Sequence, residues 1–431
     1  MVSNVLMLAA YTFIILIVLM ALKVPISFAL CISTLVGVIL TARLPVMVVA
    51  QRMFYGLDSF TLIAIPLFML AGHIMAIGGV TKDLIDLSNV FVGWMSGGLA
   101  YINVVSSMIF AGITGTASSD SSSIGGILIP TMINKGYDKD FTVAVTATSS
   151  TIGIMIPPSI PLVLYGIAAG VSIGDLFMAG IVPGVLTGVV LIGISAVISK
   201  KRKYPAEEKY PLKKSLMICL KSIPALMTVV IIIGGITTGF FTPTEAAGIA
   251  CAYTALLAVY YYKELRWRDF PELIYKASLT MGIVALMISA ATALGWFFTS
   301  QGIPMQIAKA LMSVTNNKYV ILLLVNLLLL FVGMWMDLAP AVTLFTPILL
   351  PIVTAIGISP LHFGIIMVVN LAIGLFTPPV GVCLFIGCSI AEISIADVIK
   401  AFIPFFIGMI FVLVVIVLVP QVCTLLPALL K

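Results

Sequence analysis

One stretch of the sequence concentrates hydroxyl groups between two apolar segments. The run from Gly112 to Gly125, GITGTASSDSSSIG, is rich in Ser and Thr and includes one carboxylate, Asp120. In hydrocarbon, such a polar stretch persists only where it lines a cavity or is buried in protein. We therefore predict an unwound hairpin tip whose hydroxyl and carbonyl oxygens suit a small hard cation such as Na⁺. A Ser-rich loop in the cytoplasm is the alternative interpretation.

Two further stretches predict helices that break near the middle of a membrane. In the first, the polar run TATSST at 146–151 precedes Gly153 and the pair Pro157-Pro158. Two successive prolines remove two backbone donors and leave carbonyl oxygens free, which interrupts a helix. The second stretch repeats the arrangement with Asn370, Gly374, Thr377, Pro378 and Pro379. A broken helix facing a hairpin tip, present twice, predicts two ion sites, and a kink without a ligand is the alternative.

A second predicted tip, GMWMDLAP at 333–340, carries its only acid, Asp337, at the turn. A carboxylate near the centre of a bilayer is costly unless it is paired with a cation or protonated. Asp337 is therefore either a ligand for Na⁺ or H⁺ or the cap of the helix that follows it. We favour a residue that does both.

The composition places these stretches in a membrane. Of 431 residues, 61% are hydrophobic and 9% are charged, and the mean hydropathy is +1.25. This charged fraction is about a third of the share usual in soluble domains. Apolar runs of about 20 residues recur along the chain, which leaves room for about eleven crossings. The net charge of +6 lies mostly in short loops, where basic residues orient membrane proteins, so nucleic-acid binding is excluded.

Several absences limit the chemistry. No Lys or Arg occurs between Phe141 and Ser199 or between Tyr319 and Ile399. An anionic substrate in these regions would be held by helix N-termini and bound cations rather than by arginine. There is no Walker A motif and no group of Cys and His with the spacing of a metal site. We expect neither an enzyme nor a resident cofactor.

Interrupting the apolar runs at Pro, Gly and charged residues predicts an all-α protein. The predicted helices span 5–22, 25–41, 56–77, 97–113, 120–135, 141–170, 178–199, 216–240, 245–262, 272–300, 319–335, 338–356, 361–391 and 398–426. Two amphipathic segments, 80–90 and 303–312, are predicted to lie in the membrane interface as connecting arms. The loop 200–214 has seven basic residues in fifteen and is predicted to be cytoplasmic.

The two halves of the chain repeat their Gly and Pro residues at a constant offset. An offset of 221 residues relates Pro130 to Pro351, Gly112 to Gly333, Gly153 to Gly374, Gly166 to Gly387, Pro183 to Pro404, and Pro157-Pro158 to Pro378-Pro379. Duplicated halves are typical of secondary transporters, and an odd number of crossings per half inverts the second copy. Counting outward from the basic loop, the pair 97–113 and 120–135 enters from inside. The pair 319–335 and 338–356 enters from outside, so both pairs are predicted re-entrant hairpins.

The repeat predicts five segments of the chain. They are scaffold and arm helices of the first repeat at 1–96, its hairpin, broken helix and following helix at 97–199, the basic loop at 200–215, scaffold and arm helices of the second repeat at 216–318, and its hairpin, broken helix and last helix at 319–431.

Motifs along nearly the whole chain closely resemble the large membrane subunit of tripartite ATP-independent periplasmic (TRAP) transporters. The resemblance is carried, in order, by GLDSFTLIAIPLFMLAG at 56–72, GITGTASSDSSSIGGILIP at 112–130, STIGIMIPPSIPLVLYG at 150–166, FTPTEAAG at 241–248, GMWMDLAPAVTLFTPILLPI at 333–352 and HFGIIMVVNLAIGLFTPPVG at 362–381. The first tip is richer in Ser than the Ala-rich version expected of dicarboxylate members. This difference favours a bulkier acid, such as a sialic acid.

The resemblance implies a multi-pass protein of the bacterial inner membrane. Its partners would be a small four-helix membrane subunit and a periplasmic substrate-binding protein. It would take up an organic acid with Na⁺ as the coupling ion by an elevator movement, in which hairpins and broken helices slide against a scaffold.

The resemblance also implies site residues. The first sodium site would use Gly115, Thr116, Ser119, Ser149 and Gly153. The second would use Gly333, Asp337, Gly374 and Thr377. The substrate would lie between the two tips, and its expected contacts are Ser118, Asp120, Ser150, Pro157, Asn370 and Pro378.

Three other functions compete with this interpretation. A self-sufficient Na⁺-driven symporter of divalent anions has the same hairpin architecture and needs no partner. An intramembrane hydrolase needs a catalytic dyad, and the Ser-rich tip has no nearby His or Lys. A channel needs a continuous pore, whereas duplicated inverted hairpins around a midplane site suit alternating access.

Overall fold

The computed structural model describes residues 2–41, 44–76, 79–314 and 317–429. All of its regular structure in these ranges is helical, which confirms the all-α prediction. The helices are α1 (Val2–Ala21), α2 (Ile26–Thr41), α3 (Met47–Leu57), α4 (Ala64–Ala76), α5 (Gly79–Ser88), α6 (Gly98–Thr114), α7 (Ala117–Asn134), α8 (Lys139–Ser149), α9 (Ile160–Ala169), α10 (Ile173–Arg202), α11 (Leu212–Thr237), α12 (Pro243–Leu256), α13 (Phe270–Ser300), α14 (Ile303–Val314), α15 (Lys318–Gly333), α16 (Leu338–Ala355), α17 (Pro360–Gly374), α18 (Val382–Ala391), α19 (Ile395–Leu418) and α20 (Gln421–Leu429).

Within the described ranges, five helices are long and apolar enough to cross a membrane. They are α10, α11, α13, α16 and α19. The pair α3 and α4, bent by 61° at a short break, makes a sixth candidate. The other apolar helices have 10–17 residues, so the estimate of about eleven crossings stays a prediction.

The helix bounds repeat at the offset found in the Gly and Pro residues. Adding 221 to the bounds of α7 gives the bounds of α16. The same shift brings α6, α8, α9 and α10 within a few residues of the starts of α15, α17, α18 and α19. The pairs α6–α7 and α15–α16 are therefore two helical hairpins, and α8–α9 and α17–α18 are two broken helices.

The two repeats interlock rather than pack as separate bodies. The second part of each broken helix lies against the hairpin of the other repeat, since α9 packs on α16 and α18 packs on α7. Two hydrogen bonds also join the broken helix of one repeat to that of the other, α8 to α18 and α9 to α17. The Lys139 ammonium donates to the Ala391 carbonyl oxygen (2.9 Å), and the Tyr165 hydroxyl donates to the Pro360 carbonyl oxygen (2.6 Å).

A second group of helices surrounds this interlocked unit. Helix α13 packs against α2, α3 and α4 on one side and against α16 on the other. Helix α12 packs against α4 and α11. The amphipathic segments predicted at 80–90 and 303–312 are helical, as α5 with the π-helical turn Asn89–Gly93 and as α14. Their position in the membrane interface stays a prediction.

The basic loop at 200–214 is fixed to the start of α8. The Arg202 guanidinium donates to Asp138 (2.8 Å) and to Asp140 (2.9 Å), and the Tyr204 hydroxyl donates to Asp138 (2.7 Å). Burial raises the pKa of the Asp140 carboxyl, but hydrogen bonds from Arg202 and the Phe141 N–H outweigh it and lower that pKa overall.

Three predicted elements were wrong in detail. The tip at 112–125 is not unwound, because α6 continues to Thr114 and α7 begins at Ala117, where Ser and Asp favour the first turn of a helix. The predicted helix 56–77 is divided at residues 58–59, and α3 precedes that break. The predicted helix 398–426 ends at Leu418, because Pro420 cannot continue it.

Candidate functional site

The first hairpin turns at Gly115 and Thr116. Gly115 has φ +65°, a left-handed conformation that glycine adopts without a steric penalty. Its carbonyl oxygen accepts a hydrogen bond from the Ile160 N–H (3.4 Å), so the tip rests on the start of α9. A Cβ placed at Gly153 would lie 3.5 Å from the Thr116 carbonyl oxygen. The structure thus brings three predicted residues of the first sodium site into one contact.

Ser149, another predicted ligand, belongs to a buried network of polar side chains. Its hydroxyl donates to Asn103 Oδ1 (3.0 Å) and accepts from the Ser107 hydroxyl (3.3 Å). The Asn103 amide in turn donates to the Thr146 hydroxyl (2.7 Å). All four side chains are fully buried. Sequence reasoning missed Asn103 and Ser107, although their spacing of four residues puts two polar groups on one face of an apolar helix.

Asp120 lies in the first turn of α7 and is fully buried. Neither of its carboxylate oxygens accepts a hydrogen bond from the described residues, although the hydroxyls of Ser107 and Ser150 lie beside it. Ser150, predicted as a substrate contact, is also fully buried and donates to the Thr146 carbonyl oxygen (2.8 Å). An unpaired buried carboxylate is costly, and a cation is the partner that would compensate it.

The second hairpin meets its broken helix at two glycines. The Gly333 and Gly374 backbones are so close that a Cβ on Gly374 would overlap the Gly333 carbonyl group. At the tip, Asp337 caps α16, because its Oδ1 accepts a hydrogen bond from the Leu338 N–H (2.8 Å). The Thr377 hydroxyl donates to the Ile373 carbonyl oxygen (2.5 Å) in the break between α17 and α18. The predicted capping role of Asp337 is confirmed, and its role as an ion ligand stays a prediction.

Asn370 is fully buried and bound to the second hairpin. Its amide donates to Asn326 Oδ1 (2.7 Å) and to the Asn326 carbonyl oxygen (3.0 Å), while Asn370 Oδ1 accepts no hydrogen bond from the described residues. Asn326 was also missed. Its signal was a single amide within the Leu-rich run of α15.

A cavity of about 180 Å³ lies between the two tips. Its polar lining includes Thr116, Ser118, Thr280 and Asp337. A neighbouring cavity of about 460 Å³ is lined by Ser118, Ser119 and Thr280. Thr280 comes from α13 and had no sequence signal, because α13 lies outside the repeated motifs.

The six predicted substrate contacts do not all line one cavity, although Asp120 and Ser150 lie side by side. Ser118 lines both cavities, whereas Asp120, Ser150 and Asn370 are fully buried behind them. Pro157 is buried in the first break, and Pro378 is half-buried in the second.

Four helices begin at the cavity between the tips. Its lining includes the first residues of α7 (Ala117 and Ser118), of α9 (Ile160 and Pro161), of α16 (Leu338 and Ala339) and of α18 (Val382 and Cys383). A helix N-terminus carries unpaired N–H donors and a partial positive charge, so it attracts anions. Among the described residues, no Lys or Arg lines this cavity, and Asp337 is the one carboxylate in its lining. The arrangement suits an anion bound together with a cation.

Comparison with known proteins places this architecture among transporters. Residues 13–422 match the family model described as "Tripartite ATP-independent periplasmic transporter, DctM component". The chain is 41% identical to an isethionate TRAP transporter permease protein of Oleidesulfovibrio alaskensis, over 93% of this chain and 63% of that protein. It is 36% identical to a sialic acid TRAP transporter large permease protein of Vibrio cholerae, over 94% and 95%. The crystal structure of the Alcanivorax borkumensis YdaH transporter superposes with a TM-score of 0.62 at 14% identity, covering 85% of this chain and 86% of that one, which supports the fold alone.

Proposed function

This chain belongs to the DctM component family of tripartite ATP-independent periplasmic transporters, as a large membrane subunit, and we propose that it imports a small organic acid with Na⁺ as the coupling ion. The names of the two relatives described above give their substrates as isethionate, which is a sulfonate, and a sialic acid. Both substrates are organic anions of modest size. The proposed substrate class is therefore small organic acids, with a sialic acid or another carboxylate as the substrate.

The convergence of four helix N-termini on one cavity carries this proposal. A carboxylate held there needs no arginine, because the N-termini of α7, α9, α16 and α18 carry partial positive charge and face the cavity from several directions. The same cavity exposes Asp337, which would repel an anion unless a cation neutralised it. Substrate binding would thus require a bound cation, which is the physical basis of coupling.

The proposed sodium sites follow the two tips. In the first, Gly115, Thr116 and Gly153 offer backbone oxygens, and Ser119 and Ser149 offer hydroxyls. In the second, the Asp337 carboxylate and the Thr377 hydroxyl would join backbone oxygens of Gly333 and Gly374. Unwound backbone and half-helix ends are the usual ligands of coupling ions in transporters. The unpaired Asp120 carboxylate beside Ser107 favours a positive charge near the first tip.

The proposed movement is an elevator motion of the interlocked repeats against the surrounding helices. Met69 of α4 and Thr280 and Val284 of α13 form one wall of the tip cavity, while the other lining residues come from the hairpins and broken helices. Sliding along α13 would therefore carry the cavity past a fixed wall. Most of the apolar stretch of α11 is not buried within the chain, so α11 offers an apolar face to lipid or to a small membrane subunit. A periplasmic binding protein would deliver the substrate.

Uptake into proteoliposomes tests this function. Radiolabelled N-acetylneuraminate, succinate and isethionate would be supplied under an inward Na⁺ gradient, with and without a small subunit and a binding protein. We expect uptake of one of these acids only with all three components and only with Na⁺. Uptake by this chain alone would instead indicate a self-sufficient symporter, and uptake without Na⁺ would contradict the coupling.

A further inference from the structure

A larger cavity, of about 520 Å³, shares α9, α13 and α16 with the tip cavity and has a basic residue in its lining. We call it the Arg52 cavity. Its wall on the surrounding helices includes Arg52, Trp296 and the carboxylate of Asp58, and its wall on the interlocked repeats includes Ala168 and Thr343. It therefore opens at the boundary between the two parts that the proposed movement would separate.

The guanidinium of Arg52 is held by aromatic rings and keeps its hydrogen-bond donors free. Its central carbon lies 4.8 Å from the ring centre of Trp296 and 5.8 Å from that of Tyr55. Across the described part of the chain, Arg52 donates no hydrogen bond and has no ion-pair partner. The side chain is half-buried. A fixed guanidinium with unused donors is suited to a carboxylate or sulfonate, which it can bind through two parallel hydrogen bonds.

The Arg52 cavity and the tip cavity are separated by one helical turn on each of three helices. On α13 the lining passes from Val284 in the tip cavity to Ile288 in the Arg52 cavity. On α16 it passes from Ala339 to Thr343, and on α9 from Pro161 to Leu164. One turn of helix is about 5.4 Å long.

The seam between the two cavities is narrow and mostly apolar. Ile288 and Leu164, the residues of the Arg52 cavity nearest along α13 and α9 to the tip cavity, are both buried. A shift of about one turn between α13 and α16 would join the two cavities.

We propose that the Arg52 cavity is a capture site for the anionic group of the organic acid, occupied before the acid reaches the cavity between the tips. The inference rests on the proposed function for the identity of the ligand. Arg52 supplies the positive charge that the tip cavity lacks, and it does so without Na⁺. The apolar seam then delays the acid until the interlocked repeats move relative to the surrounding helices.

The first test measures the charge preference of the cavity and needs no transport. Ala168, an exposed residue of the lining, is replaced as Ala168→Cys, and its reaction rates with an anionic and a cationic methanethiosulfonate (sulfonatoethyl and trimethylammonioethyl) are compared. The parent chain corrects for the six native cysteines. Adding Arg52→Gln should lower the anionic-to-cationic rate ratio about tenfold, because a nearby unit charge acts oppositely on the two reagents.

A matched control removes a similar charge elsewhere. Lys318 lies over the ring of Tyr319 (5.1 Å) but is exposed and does not line the cavity. Lys318→Gln should therefore leave the rate ratio unchanged, and Arg52→Lys should largely restore it. A ratio that Arg52→Gln does not change would overturn the proposal.

The second test measures binding through protection of the new cysteine. N-acetylneuraminate, succinate and isethionate are titrated against the sulfonatoethyl reagent without Na⁺. We expect one of them to protect Ala168→Cys, with a half-protecting concentration at least about tenfold higher in Arg52→Gln. Protection should persist in Asp337→Asn, because Asp337 does not line this cavity.

The outcomes separate this inference from the proposed function. The capture site would be overturned if none of the acids protects the new cysteine, or if protection is equal in Arg52→Gln. Protection without any Na⁺-driven uptake would leave the capture site standing and contradict the proposed function.

Discussion

The two hairpin tips each carry one carboxylate and place it differently. Asp120 lies in the first turn of α7, fully buried beside the hydroxyls of Ser107 and Ser150. Asp337 lies at the turn itself, caps α16 and lines the cavity between the tips. At the offset of 221 residues, Asp337 corresponds to Thr116 rather than to Asp120. The repeat has kept the backbone and moved the charge, so the two proposed ion sites are not copies of one another.

The contacts between each hairpin and its broken helix also lie at equivalent positions but use different polar residues. Ser149 and Asn370 occupy equivalent positions, and each is bonded to an asparagine of its own hairpin, Asn103 or Asn326. The first contact extends into a network of hydroxyls, whereas the second is a single pair of amides. Duplication therefore preserves where a polar residue is needed but not which residue supplies it.

The largest effect is expected at Asp337. Asp337→Ser keeps a good helix cap but removes the charge, and Na⁺-driven uptake should fall about tenfold to a hundredfold. Asp337→Ala should lose uptake to a similar degree and additionally lose about 1 kcal/mol of stability. Proteoliposome uptake and thermal unfolding in detergent measure the two effects. Normal uptake in Asp337→Ser would mean that Asp337 caps α16 and is not an ion ligand.

A second comparison uses the equivalent glycines Gly374 and Gly153. Gly374→Ala should destabilise the protein by about 1–3 kcal/mol, since its methyl group would overlap the Gly333 carbonyl group. Gly153→Ala should be tolerated, because the nearest atom would lie at an ordinary contact distance of 3.5 Å. Apparent melting temperatures of the two variants give the measurement. Equal losses would mean that the two hairpins pack alike.

The buried network of the first repeat predicts a smaller change. Ser149→Ala leaves Asn103 Oδ1 without the hydroxyl donor of Ser149, and a buried unsatisfied acceptor costs about 1–3 kcal/mol. We expect a higher half-saturating Na⁺ concentration in uptake, with expression reduced less than transport. Asn103→Leu with Ser149→Ala should cost less than the sum of the single variants, because both remove the same bond. An unchanged Na⁺ response would remove Ser149 from the proposed site.

The smallest effects are expected where the repeats interlock. Tyr165→Phe removes the bond to the Pro360 carbonyl oxygen, and Lys139→Met removes the bond to that of Ala391. Each should lower stability by about 1 kcal/mol. Since the Lys139 bond is charge-assisted, its loss should be the larger of the two at low salt. Thermal unfolding at two ionic strengths distinguishes them, and a larger loss in Tyr165→Phe at low salt would contradict this ranking.

The sequence by itself determined much of the architecture. Apolar runs located the membrane helices, because a spanning segment must be apolar along its length. The proline pairs located both breaks, because proline cannot complete a helix. The offset of 221 residues, found in the Gly and Pro residues, also relates the starts of five pairs of helices.

Only the tertiary structure decided which of these residues meet. Sequence indicated a polar first tip but not that its serines are helical or that Asp120 lies behind the cavity rather than in it. It gave no sign of Thr280 or of the position of Arg52 beside Trp296, because both contacts join distant parts of the chain. Local pattern fixes where a helix starts and stops. Which helix ends converge on one cavity depends on packing between repeats, and no local pattern encodes it.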